Sequence, residues 1–311
     1  MPDSDRPDGI VGAYTADDLT VKITFTTFLA LALYNSLELA VLIFATFKRY
    51  EGLYFWSLLL AGLLGVVPQS VSFILKYFDF APLWFTLTLS TIGWYFMVTG
   101  QALVLFSRLN LVVQNRNVQR FVLGMIICDA IALHIPTTVL TYGSNFIGSS
   151  MWVHAYTIME RIELTGFCLQ ETIISGLYIF HSVKILRLLP PMGNNTDPGR
   201  AILYQTLAIN FLIILLDVSL MTMGFLDYFV IQTTFKSFVY SLKLKLEFGV
   251  LGRLLSLMRS RRHQVDGHQS HSASRKGNSG AEYSVSVSSK AQDNFPLRPL
   301  PGSWQRIEGD T

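Results

Sequence analysis

The chain has 311 residues, of which 51% are hydrophobic and only 14% charged; an ordinary soluble domain is charged at roughly a quarter of its positions. That composition excludes a water-soluble core, and at a net charge of +3 no nucleic-acid partner is expected. Long apolar runs recur along the first 250 positions, each sufficient to cross the ~30 Å hydrocarbon layer as a helix. The expected fold class is all-α, a seven-transmembrane helix bundle.

Residues 1–22 form a short acidic tail carrying Asp3, Asp5, Asp8, Asp17 and Asp18. It has no apolar segment of the kind a cleavable signal peptide needs, so insertion rests on the first span. Within a membrane domain at 23–250, hydropathy and flanking residues predict helices at about 23–47, 53–76, 83–107, 121–142, 159–187, 201–224 and 228–250. The first, third and fifth connections hold Lys48, Arg49, Arg108, Arg116, Arg120, Lys184, Arg187 and Arg200, whereas the second, fourth and sixth hold only Lys76. Eight against one places the N-terminus outside and the C-terminus in the cytosol. Arg161, at the mouth of the fifth span, stands outside that count. The fifth connection, Pro190 to Gly199, is rich in turn formers, and its sequon Asn194-Asn195-Thr196 faces the cytosol and stays bare. Residues 251–263 combine Leu251, Leu254, Leu255 and Leu257 with Arg253, Arg259, Arg261 and Arg262; this suits either an amphipathic helix on an anionic leaflet or a frayed basic stop. From 264 to 311 the chain is a Ser-rich cytosolic tail expected to be disordered. Cys128 and Cys168 lie inside apolar runs, which reads as buried thiols rather than an extracellular disulfide.

A charge at membrane depth costs several kcal/mol unless it is paired or hydrated, which makes intramembrane ionisable residues functional candidates. The predicted spans carry Glu38, Asp129, His134, Glu160, Glu163, Glu171, His181, Asp217, Lys236, Lys243, Lys245 and Glu247. At ~1.5 Å per residue, Asp217 and Lys236 both lie roughly 10 Å below the outer surface, a level that suggests an ion pair with Glu163 and His134 nearby. Glu38 and Lys243 share a deeper level on helices that become neighbours if the bundle closes as a ring. On the fifth helix Glu160, Glu163, Phe167, Gln170, Glu171 and Ile174 follow three- and four-residue steps, so they share one face turned into the bundle. Any of these residues can equally serve helix packing alone, His181 most readily. Pro68 and Pro136 are expected to kink the second and fourth helices. Trp56, Trp84 and Trp152 fit an interfacial belt. Trp94, Tyr95 and Phe96 lie near mid-membrane, where they either pack helices or offer aromatic faces to a cation.

Motif absences narrow the chemistry. The third helix from Leu83 to Phe106 carries no carboxylate to serve as counter-ion to a retinal on Lys236. Phe106-Ser107-Arg108-Leu109 and Tyr240-Ser241-Leu242-Lys243-Leu244 lack the receptor signatures expected at those places. The spans hold no HExxH, DxD or CxxC pattern, and neither metal nor cofactor is expected.

Three segments carry a resemblance: Thr99-Gly100-Gln101-Ala102-Leu103-Val104-Leu105-Phe106-Ser107-Arg108-Leu109, the stretch from Glu163-Leu164-Thr165-Gly166 to Gly176-Leu177-Tyr178, and Tyr240-Ser241-Leu242-Lys243-Leu244-Lys245-Leu246-Glu247-Phe248. Together they resemble a fungal seven-span family of largely unknown function, some members of which are similar to membrane-bound terpene cyclases of meroterpenoid biosynthesis. The resemblance implies a metal-independent cyclase or isomerase that protonates an epoxidised prenyl chain. Acid catalysis needs a carboxyl that keeps its proton, and burial favours one. On that reading Glu171 or Glu163 donates the proton and Asp217 positions or deprotonates, while Trp94, Tyr95, His134, Lys236 and Glu38 contact a lipophilic substrate arriving through the membrane lipids. The expected location is then the endoplasmic reticulum. The N-out topology, basic third loop and serine tail support a different reading, a receptor-like signalling protein of the plasma membrane with a cytosolic partner. A small-molecule transporter is the third.

Overall fold

The computed structural model describes residues 18–47, 52–113, 115–188, 198–226 and 229–250. Most of the acidic tail, the centre of the 190–199 connection, the 251–263 segment and the 264–311 tail lie outside the described residues. Among the described residues every regular element is helical, and there are seven helices: α1 Leu19–Thr46, α2 Leu53–Tyr77, α3 Leu83–Val112, α4 Arg116–Phe146, α5 Ser150–Leu188, α6 Pro198–Phe225 and α7 at 229–250. Five of them (α1, α2, α3, α4 and α6) are long and apolar enough to cross a membrane. This makes the chain compatible with a multi-pass integral membrane protein. The other two, α5 and α7, carry the largest share of the interior charge.

Local sequence sets the helix ends. The Asp18 side chain caps α1 by accepting from Thr20 N–H at 2.9 Å, and Asn115 caps α4 through Asn117 N–H at 3.0 Å; both supply an acceptor to a backbone donor that the helix leaves unpaired. Gly148, in the left-handed region at φ 64°, ends α4, and its N–H reaches back to Gly143 O, as a C-terminal glycine cap does. α5 begins at Ser150, nine residues before the hydropathy boundary at 159. In these added turns Val153 and Tyr156 are buried, whereas Ser150 and His154 are exposed.

Within α2, Leu60–Val66 forms a π-helical segment, and the N–H of Val67 bonds to Gly62 O. Pro68 follows immediately and has no N–H to donate. The expected disturbance at Pro68 therefore takes the form of a widened turn. The same region packs closely on α3. A Cβ on Gly65 would come within 2.6 Å of the Met97 backbone, one on Gly93 within 2.6 Å of Gln69 N, and one on Gly100 within 2.7 Å of the Ala61 Cβ. Small residues let the two backbones touch, the usual route to tight helix pairing in lipid.

Side-chain partners fix the topology. α1 and α7 run parallel, joined by Asn35–Ser241 and Glu38–Lys245. α2 and α7 run antiparallel, joined by Tyr54–Glu247 and Tyr77–Thr233, as do α3 and α4, joined by Thr88–Tyr142 and Thr99–His134. α3 and α5 run parallel through Trp94–Glu163, and α5 and α7 through Glu163–Lys236 and Glu171–Lys243. The helices thus alternate up and down, and α7 touches α1, α2, α3, α5 and α6. Along 229–250 only Gly249 is exposed. Sheathed by its neighbours, α7 can carry Lys236, Lys243, Lys245 and Glu247 without presenting that face to lipid.

Candidate functional site

The interior charges resolve into one cavity and three ion-pair clusters. The cavity lies in the half of the bundle nearest the α6–α7 turn and has a volume of about 70 Å³. Its walls are Gln69, Phe73 and Lys76 from α2, Leu87, Ser90, Thr91 and Trp94 from α3, Thr137, Thr141 and Asn145 from α4, Tyr156, Glu160 and Glu163 from α5, and Phe229, Thr233 and Lys236 from α7. On the α5–α7 side, Lys236 Nζ donates to Glu163 Oε1 at 2.7 Å, the same oxygen accepts from Trp94 Nε1 at 3.1 Å, and Gln232 Nε2 donates to Glu160 Oε1 at 3.4 Å. Lys236 also lies 5.7 Å from the centre of the Trp94 ring.

The α4 wall is different. Thr137 Oγ1 and Asn145 Oδ1 are buried and have no hydrogen-bond partner among the described residues. Threonines elsewhere bond back to a carbonyl one turn earlier, as Thr91, Thr138 and Thr141 do. Asn145 uses its Nδ2 on Thr141 O at 2.9 Å, so its free oxygen can only accept. Behind this wall, the ring of His134 sits 4.5 Å from Trp94, 4.6 Å from Tyr95 and 5.2 Å from Phe167. Its Nε2 bonds Thr99 at 2.9 Å, and Tyr95 OH bonds Thr138 at 2.6 Å.

Deeper along α7, Lys243 is fully buried and donates to Glu171 Oε2 at 2.8 Å and to Asp217 Oδ1. Glu171 Oε1 accepts from Tyr240 OH at 3.1 Å. One helical turn further, Arg108 meets Glu247 at 2.6 Å, donates to Asn210 and lies 4.4 Å over the Tyr178 ring. Apart from both, on the α1 side, Lys245 pairs with Glu38 at 2.5 Å, with side-chain exposures of 29% and 36%.

The structure brings together three of the sequence-predicted site residues, Glu163, Trp94 and Lys236, in the cavity wall, with Tyr95 and His134 directly behind. Glu171 and Asp217 form a separate, deeper cluster, and Glu38 is remote from both. The shared interior face of α5 is present: Glu160, Glu163, Phe167, Gln170, Glu171 and Ile174 are all buried.

One expected pairing is corrected: Asp217 pairs with Lys243, not Lys236. Glu38, read at the level of Lys243, pairs with Lys245 two residues on. Helical side chains lean toward the N-terminus of their own helix, so on antiparallel α6 and α7 Asp217 and Lys236 lean apart, whereas Asp217 and Lys243 lean together. For Glu38 a level alone does not choose between Lys243 and Lys245, because a two-residue step turns roughly 200° around a helix. Sequence reasoning also placed Arg108 and Lys76 in connections. Both are helical and buried, and their position within a turn of a span end was the only available signal. Thr137 and Asn145 gave none, since neutral polar residues are common in spans.

Residues 12–269 match the family described as "Domain of unknown function (DUF7703)", and the chain belongs to that family. No curated protein and no solved structure matches it.

Proposed function

We propose that this member of the family is a seven-span membrane protein, N-terminus outside and C-terminus in the cytosol, that acts as a receptor for a small polar molecule held in the α2–α5/α7 cavity. One observation carries the reading. α7 runs through all three places: it supplies Lys236 to the cavity wall, Lys243 to the buried carboxylate cluster and Glu247 to Arg108. A ligand that competes for Lys236 therefore acts on the helix that also holds the far end together, and differential contact of this kind is what moves a conformational equilibrium. The loop-charge bias supports the orientation. With the buried Arg108 and Lys76 removed, it stands at seven to none, with Arg161 still outside the count.

The test uses Asn145→Cys in a chain whose Cys128 and Cys168 are changed to Ala. A membrane-impermeant methanethiosulfonate reagent should label it on intact cells. Labelling only after permeabilisation would invert the topology, and no labelling even in detergent would end the binding-pocket reading.

A second reading, the cyclase, is favoured by Glu163 and Trp94 in the cavity wall and by the aromatic cage of Trp94, Tyr95 and Phe167 around His134. An acid beside aromatic faces suits protonation of an epoxide and shelter of the resulting cation. Pockets for drug-sized ligands run ~300–1,000 Å³, so on this reading the cavity of about 70 Å³ widens around its substrate. Membranes holding the protein are then expected to convert an epoxidised farnesyl-phenol without added metal or nucleotide, and Glu163→Gln to abolish turnover per folded molecule, with folded yield measured alongside because the change strands Lys236. Unchanged epoxide with wild-type membranes removes this reading.

A further inference from the structure

We propose that the cavity takes a small zwitterion, an amino acid of about five or six heavy atoms, with its ammonium on the α4 wall and its carboxylate toward Lys236. This rests on the receptor reading above and adds the chemistry of the ligand.

Three observations set that chemistry. First, the α4 wall asks for a hydrogen-bond donor at Asn145 Oδ1, which can only accept, beside a Thr137 hydroxyl that can donate or accept. Asn145 and Thr137 retain exposures of only 8% and 4%, both line the cavity, and neither Asn145 Oδ1 nor Thr137 Oγ1 has a partner among the described residues. A buried acceptor without a donor is costly. A ligand N–H removes that cost. Four aromatic side chains, Phe73, Trp94, Tyr156 and Phe229, complete the surroundings, and aromatic faces favour a cationic donor over a neutral one.

Second, the lining is balanced in charge: two lysines, Lys76 and Lys236, and two glutamates, Glu160 and Glu163. A bare ammonium ion would leave a net charge in a poorly hydrated site, which is expensive. A zwitterion adds none. Its carboxylate has a receiver, because the Lys236 ammonium has three N–H donors and can serve a second carboxylate while keeping Glu163.

Third, size excludes larger members of the class. At roughly 10–15 Å³ for each water-sized position, a volume of about 70 Å³ holds about five to seven. Glycine, with five heavy atoms, falls within that range. β-Alanine is one atom larger, and leucine is too large.

The experiment follows thermal unfolding of the full-length protein in lipid nanodiscs with equal millimolar concentrations of glycine, β-alanine, leucine, methylamine or acetate. Glycine or β-alanine should raise the midpoint, while leucine, methylamine and acetate give little or no rise. Asn145→Leu and Thr137→Val should each raise the concentration for half-maximal shift about tenfold or more. Methylamine or acetate alone matching glycine overturns the proposal, as does a glycine shift that survives both substitutions. No shift with any compound, in a protein whose Asn145→Cys is labelled from outside, overturns the zwitterion and leaves the binding pocket standing. No shift together with no labelling removes both.

Discussion

Lys243→Met is expected to cost the folded bundle about 3–5 kcal/mol, the usual penalty for stranding buried charge. Lys243 is fully buried and answers two carboxylates, Glu171 and Asp217, so its removal leaves two acids facing each other with one Tyr240 hydroxyl between them and the protein. The measurement is a reversible unfolding series in mixed micelles. A double-mutant cycle then identifies the partner. Asp217→Asn with Lys243→Gln should show a coupling of about 0.5–3 kcal/mol, whereas Asp217→Asn with Lys236→Gln should be additive within about 0.5 kcal/mol. Coupling to Lys236 of equal size would contradict the arrangement of α6 against α7.

Gly65→Leu and Gly93→Leu are expected to abolish the monodisperse folded protein altogether. At both positions a single added carbon already meets backbone at 2.6 Å, and backbone, unlike the far end of a side chain, cannot rotate away. Overpacking in a well-packed core typically costs about 1–3 kcal/mol per offending group; here the collision involves the whole α2–α3 seam next to the π-helical turn, which also supplies Gln69 and Phe73 to the cavity wall. Gly124→Ala is the control, because nothing lies within 4 Å of the Cβ it would add. Size-exclusion profiles that are normal for the two leucine variants would mean that α2 and α3 are not in backbone contact.

Apolar runs determined by themselves which stretches become helices. All seven predicted segments correspond to helices; for the five that are long and apolar enough to cross a membrane, a backbone in hydrocarbon has to satisfy its own hydrogen bonds. The run lengths were less informative at the ends: α5 begins at Ser150 and α4 extends to Phe146, both past the point where hydropathy falls; the last turn of α4 buries Ser144 and Asn145, and the first turns of α5 bury Val153 and Tyr156. The interior face of α5 was also legible, because three- and four-residue spacing needs no knowledge of neighbours. What that face meets was decided only by the tertiary structure. Whether Asp217 finds Lys236 or Lys243 depends on which way each side chain leans on antiparallel helices. Whether Glu38 finds Lys243 or Lys245 depends on azimuth, which depth along a helix does not contain. The cavity is the most tertiary feature of all: Gln69, Trp94, Asn145, Glu160 and Lys236 come from five helices, and no local pattern marks Asn145 or Thr137 as cavity-lining residues whose polar atoms lack partners among the described residues.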